Sequence, residues 1–120
     1  MAKIFLDTNI FIDIFDRRKE IVNDLKGHSL YISPLSIHIF YYSYRLKIPN
    51  NVSKKFKAFN QVTLTKDLTY KALEGPTSDL EDNIQLHSAA EADCKYFLTN
   101  DKKMLKMKFF GKCKITNKLA

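Results

Sequence analysis

Glycine and proline are scarce, three of each in 120 residues, and no stretch is of low complexity. That scarcity argues against disordered tails and linkers. No apolar run approaches the roughly 20 residues that span a bilayer, so no membrane partner is expected. The N-terminus sets one lysine before a short apolar run, without the extended apolar region and small-residue cleavage site of a secretory signal. Cysteine is limited to Cys94 and Cys113, which match no metal-ligand spacing and make a poor disulfide framework. A reducing, cytoplasmic setting is the expectation. Acid is also missing from one region. After Asp101 there are seven lysines and no Asp or Glu, whereas the rest of the chain balances thirteen basic against thirteen acidic residues. The net charge of +7 therefore resides in Lys102, Lys103, Lys106, Lys108, Lys112, Lys114 and Lys118. Such a segment suits a polyanion; the alternative is a solvated lysine face that keeps the chain soluble.

At 45% hydrophobic and 28% charged, the chain has the composition of one globular domain, taken here as 1–120. It is organised around Lys3-Ile4-Phe5-Leu6-Asp7-Thr8-Asn9-Ile10-Phe11-Ile12-Asp13. The first part reads as a buried strand. Past Asp7 the spacing turns helical, with Ile10 and Ile14, and Phe11 and Phe15, four apart. A carboxylate and two short polar side chains then fall at the strand's carboxyl end, where open α/β sheets bind ligands. Asp7 or Thr8 could equally serve as a helix cap.

Further along, a second helix is expected over about 18–26, ending at Gly27. Ser29–Ser33 reads as strand two, and Ser33-Pro34 opens a helix that stops before Pro49. Val52, Phe56 and Phe59 share one side of the next segment, opposite Lys54, Lys55 and Lys57. Gln61–Thr65 alternates like a strand, and helix 67–74 ends at Gly75-Pro76. Thr77 or Ser78 is the expected start of a helix running to about Asp93, with Asp79, Glu81 and Asp82 where the helix dipole favours acids. Lys95–Thr99 reads as strand four, followed by a short helix at 102–107 and an extended piece near Lys112–Thr116. Alternating strands and helices predict a three-layer α/β/α sandwich with a mostly parallel sheet of about five strands.

Parallel strands aim their carboxyl ends the same way. Asp7 and Asp101 therefore share one rim if strands one and four are neighbours, and the helix carrying Asp82 starts near it. Asp79, Glu81 and Asp13 stand in reserve. Clustered carboxylates repel unless a cation neutralises them, and hard oxygen donors select Mg²⁺ or Mn²⁺. A divalent ion held there can activate water and stabilise charge on a phosphate during hydrolysis.

The ordered set Leu6-Asp7-Thr8-Asn9-Ile10, Ile32-Ser33-Pro34, Leu80-Glu81-Asp82-Asn83-Ile84-Gln85 and Leu98-Thr99-Asn100-Asp101 resembles PIN domains, the small VapC-type toxins of bacterial toxin–antitoxin pairs above all. The resemblance covers nearly the whole chain. It implies a parallel α/β/α sandwich, a Mg²⁺- or Mn²⁺-dependent endoribonuclease acting on RNA, a protein antitoxin as partner and frequent homodimers. By the same resemblance Asp7, Asp82 and Asp101 are the catalytic metal ligands, and Asn9 and Thr99 orient the site. One position departs. The family's pattern carries a Glu six residues after the serine of Ile32-Ser33, and here that residue is Ile39, which cannot ligate a metal. His38 and Ser36 leave the helix in other directions, at about 100° per residue. The rival to the enzyme is thus a degenerate PIN-like module that binds RNA or a protein partner.

Other features fit less specific roles. His28, His38 and His87 are scattered and read as structural or surface residues. Phe40-Tyr41-Tyr42-Ser43-Tyr44 is either core or a contact for a dimer or antitoxin. Met104, Leu105, Met107, Phe109 and Phe110 suggest packing beneath the basic segment, although an exposed Phe could stack on RNA bases. Lys102, Lys103, Lys106, Arg17 and Arg18, with Arg45, are candidate phosphate contacts. Aspartyl phosphoryl transfer of the haloacid-dehalogenase kind, with Asp7 as nucleophile, needs a second acid two residues on, where the chain has Asn9.

Overall fold

Strand β1 (Lys3–Leu6) lies between β2 (Ser29–Ile32) and β4 (Tyr96–Leu98), parallel to both, in a computed structural model that describes residues 1–16 and 23–119. Three further strands complete the sheet: β3 (Asn60–Gln61), β5 (Phe109–Phe110) and β6 (Cys113–Thr116). The order is β3-β2-β1-β4-β6-β5, and every pair is parallel except β5 with β6. The pairing of β1 with β4 meets the condition for Asp7 and Asp101 to share a rim.

The helices are α1 (Thr8–Asp16), α2 (Pro34–Ser43), a 3-10 helix (Asn51–Ala58), α3 (Lys66–Leu73), α4 (Leu80–Glu91) and α5 (Lys102–Leu105). The helix expected over 18–26 lies largely outside the described residues, of which 23–25 are helical. As expected, Ser33 caps α2, its hydroxyl accepting from the Leu35 N–H at 3.1 Å, with Pro34 in the first turn. Helix α4 starts later than expected. Asp79, not Thr77 or Ser78, is the cap, with Oδ1 accepting from the Asp82 N–H at 3.0 Å. Thr77 instead donates from its N–H and hydroxyl to Asn83 Oδ1, at 2.9 and 2.6 Å, which ties down the loop before the helix.

Alternation along β1 fills two cores. Ile4 and Leu6 join Ile10, Phe11, Ile32, Phe40, Phe56 and Leu98 on one face, whereas Phe5 joins Leu86, Ala89, Phe97, Met104, Cys113 and Ile115 on the other. Helices α1 and α2 supply the first core and α4 and α5 the second, which makes the three layers. Phe11 is fully buried among Phe15, Phe40, Phe56 and Phe59, at ring-centroid distances of 5.0, 6.2, 5.8 and 5.2 Å. The aromatic run of α2 is therefore divided. Phe40 is core, while Tyr42 is 79% exposed and stacks with His38.

Two strands differ from expectation. β3 is shorter because only Val62 continues its pairing, donating to the Ile32 carbonyl at 2.9 Å before Thr63 and Leu64 turn to solvent. β5 adds a sixth strand. Gly111 (φ +60°) supplies the left-handed residue that lets Phe110 turn back into Cys113. The sheet thus ends on each side in a strand of two residues.

Candidate active site

Asp7 follows the last residue of β1. Its carbonyl accepts the Phe11 N–H at 2.9 Å and so starts α1, but its carboxylate turns toward β4. There Asp7 Oδ2 accepts from the Thr99 hydroxyl at 2.6 Å. The same Thr99 oxygen accepts the Asp101 N–H at 3.0 Å, while Asp101 Oδ1 caps α5 by accepting the Lys103 N–H at 2.8 Å. A single buried threonine thus fixes the two acids that end β1 and β4. The cap and site readings of these acids are not exclusive, since each uses different atoms of the same residue.

The N-terminal turns of α4 close the rim. Gln85, fully buried, accepts the Thr8 N–H on Oε1 at 2.9 Å and donates from Nε2 to Glu81 Oε2 at 3.3 Å. Thr8 also shares a 2.8 Å hydrogen bond with Ser36 of α2. Ser36 therefore faces this network, contrary to the expectation that it projects elsewhere. Three helical residues cover about 300°, which leaves Ser36 only about 60° from Ile39 around the axis. Ile39 itself is half-buried. The sequence offers Thr8 only as a possible cap, sets Ser36 aside as a ligand and shows Gln85 only within a motif, because none of them titrates. The available signal was a glutamine set between Ile84 and Leu86 on a helix flank that packs inward.

The electrostatics unite the acids. Burial holds the Asp7 carboxyl above the usual aspartate range, opposed by hydrogen bonds from Thr99, the Thr8 N–H and Gln85, and the Asp101 charge adds to the rise. Asp82 is pushed up to about 6, first by burial and then by Asp79, Asp7, Asp101 and Glu81. Glu81 is raised by burial, Asp79 and Asp7. These five acids therefore share one negative rim. Asn9 is exposed in the first turn of α1, and Asp13, one turn on, has no hydrogen bond to the group. Lys102, Lys103 and Lys106 are exposed on and after α5, next to Asp101, whereas Arg17 and Arg18 lie outside the described residues.

The donor set fits a hard divalent cation, being carboxylate oxygen only. It is not a closed cage: among the described residues no three His, Cys, Asp or Glu side chains converge to hold one ion. Mg²⁺ keeps several waters and takes only one or two carboxylates from protein, so an open rim suits it. Until a cation arrives, the raised carboxyls cost stability at neutral pH. Asp82 keeps its proton in the folded chain up to about pH 6 but loses it near pH 4 when unfolded. Its contribution is thus fully present below pH 4 and lost as pH rises through 6. Asp82→Asn is expected to raise Tm by a few degrees at pH 7 and to leave it unchanged at pH 4, read by thermal unfolding at the two pH values. Solvent screening keeps the effect small, because Asp82 is only partly buried.

Comparison with protein families matches residues 4–110 to the PIN domain. The chain belongs to the PIN domain family. The fold of this PIN domain is similar to that of a chain in the crystal structure of VapBC2 from Rickettsia felis bound to a DNA fragment from their promoter. The TM-score is 0.69 at 13% identity, covering 95% of this chain and 97% of that one. Comparison with curated proteins gives no match. Among the described residues, no helix of this PIN domain is long and apolar enough to cross a membrane.

Proposed function

We propose that this PIN domain is a metal-dependent endoribonuclease and the toxin of a toxin–antitoxin pair. The observation that carries the reading is the shared rim: Asp7, Asp82 and Asp101 are far apart in sequence, yet the Asp101 charge raises the Asp7 carboxyl and both charges raise that of Asp82. The likeness of fold to a VapBC2 chain supports a protein antitoxin as partner. Mg²⁺ or Mn²⁺ would be held by Asp7 with Asp82 or Asp101. When bound, it supplies an activated water and a charge that stabilises the phosphate under attack. The chain's own residues prepare that site. Thr99 holds the Asp7 carboxylate toward β4, Gln85 fixes the backbone of Thr8 against α4, and the exposed lysines of α5 offer charge to RNA phosphates beside Asp101. The test is cleavage of a structured RNA during a Mg²⁺ or Mn²⁺ titration, with thermal unfolding run in parallel. Cleavage that depends on the ion, with a Tm that rises with its concentration, is expected; cleavage unaffected by chelation would remove the metal from the reading.

A second reading is favoured by one residue. Ile39 stands where the family's pattern carries Glu, three residues on from Ser36, which hydrogen-bonds Thr8. A chain short of that carboxylate would act as a binding module rather than an enzyme. Ile39→Glu separates the two. If the missing carboxylate limits catalysis, cleavage rises at least about tenfold, or about 1.4 kcal/mol of barrier, and half-saturation with Mg²⁺ falls. Unchanged cleavage and metal affinity would show that position 39 is not limiting.

A further inference from the structure

We propose that Tyr96, Lys114 and Phe109 form a platform on which bases of single-stranded RNA stack at the amino ends of the parallel strands, away from the acid rim, an inference that rests on the ribonuclease reading above. The three are register partners across neighbouring strands: Tyr96 of β4 pairs with Lys114 of β6, and Lys114 pairs with Phe109 of β5. Alternation sends Phe110, Cys113 and Ile115 into the core shared with Phe5 and Phe97, so Phe109 and Lys114 take the opposite face. Among the described residues, that face is covered by α1 and α2 over Ile4, Leu6 and Ile32, with Tyr96 packed at its margin, and no residue of β5 or β6 belongs to that core. Phe109 is 56% exposed, Lys114 is exposed and Tyr96 is half-buried. Lys95 adds a second ammonium, 5.4 Å from the Tyr96 ring centroid.

The chemistry of the row selects its occupant. Strands lie about 4.8 Å apart, which sets the two aromatic residues about 10 Å from each other with the lysine between them. Lys108 and Lys112 flank β5, and no acid occurs after Asp101. Protein interfaces are depleted in lysine, whereas single-stranded nucleic acid is held by aromatic faces for bases and cations for phosphates. Duplex RNA keeps its bases stacked on one another and has none to offer. The row is level with Ile4, three residues before Asp7, and β5 is three strand positions from β1, so Phe109 lies about 14 Å across the sheet and about 10 Å along the strands from the acid rim. RNA held there leaves the acid rim free, and a strand of a few nucleotides is long enough to reach from one to the other.

The chain contains no tryptophan, so Phe109→Trp places a sole fluorophore on the platform. Titration in EDTA with a short oligouridylate should quench it, and an abasic oligonucleotide of equal length should not. Phe109→Ala should weaken oligouridylate binding about tenfold, and Lys114→Ala should lower the salt slope by about one. Both sites are exposed, and an unchanged thermal transition confirms the fold. Absence of quenching with unaltered affinity overturns the platform, even where the wild type cleaves RNA with Mg²⁺ and the ribonuclease reading stands. Quenching in a chain that never cleaves keeps the platform and removes the catalytic reading. Dissociation of a dimer by Phe109→Ala, seen by sedimentation, assigns the row to protein contact and overturns the proposal.

Discussion

Asp7→Asn is expected to lower RNA cleavage at least about a hundredfold, equivalent to about 3 kcal/mol of barrier, while the fold persists. The substitution keeps shape and keeps an oxygen for the Thr99 hydroxyl, which sits 2.6 Å from Asp7 Oδ2. It removes the negative charge that a divalent cation needs. It also removes a buried carboxyl whose pKa is raised in the folded chain. The sign of that shift means the ionised form opposes folding above the ordinary aspartate range, so Tm at pH 7 should hold or rise. Loss of activity with an intact transition would place the chemistry at Asp7. Cleavage within threefold of wild type would remove Asp7 from the reaction and take the acid-rim mechanism with it.

The largest stability effect is expected at Phe11. This ring is fully buried and meets four other phenylalanines, two of them in the 3-10 helix and the residues just after it. Phe11→Ala removes its apolar area and leaves a cavity whose walls are rigid rings on three separate elements. Such changes cost about 3–5 kcal/mol. For a domain of this size that lowers Tm by about 10–20 °C, a large share of the whole stability. Phe11→Leu, which keeps most of the volume, should recover more than half of the loss in the same thermal measurement. A fall of under about 1 kcal/mol for the alanine variant would mean that the cluster collapses to fill the gap.

Local rules carried much of this architecture. Apolar runs of four or five residues located β1, β2 and β4, and Ser33-Pro34 located the start of α2. Alternation of strands and helices gave the parallel sheet, and with it the rim shared by Asp7 and Asp101. β5 escaped because two residues are too short a run to show a period. The signal lay in Phe110-Gly111-Lys112-Cys113, where one glycine between extended residues fits a tight hairpin. The start of α4 was misplaced because Thr77, Ser78 and Asp79 are all good caps, and the choice was made by Asn83 drawing Thr77 away. Within the site, the acids announced themselves by charge, whereas Thr8, Ser36 and Gln85 are neutral groups that join elements only after the layers pack. Side-chain direction was the remaining gap. The sequence placed three carboxylates on one edge, and the fold leaves them as an open rim in which Asp101 also caps α5, as the reserve acid Asp79 caps α4.

The two-residue strands at the sheet's margins limit how another chain can attach. A margin of that length offers too few unpaired peptide groups to template an added strand. A protein partner such as the proposed antitoxin would therefore seat its side chains on helical and loop surfaces, and the same brevity protects the domain from growing edge to edge into aggregates.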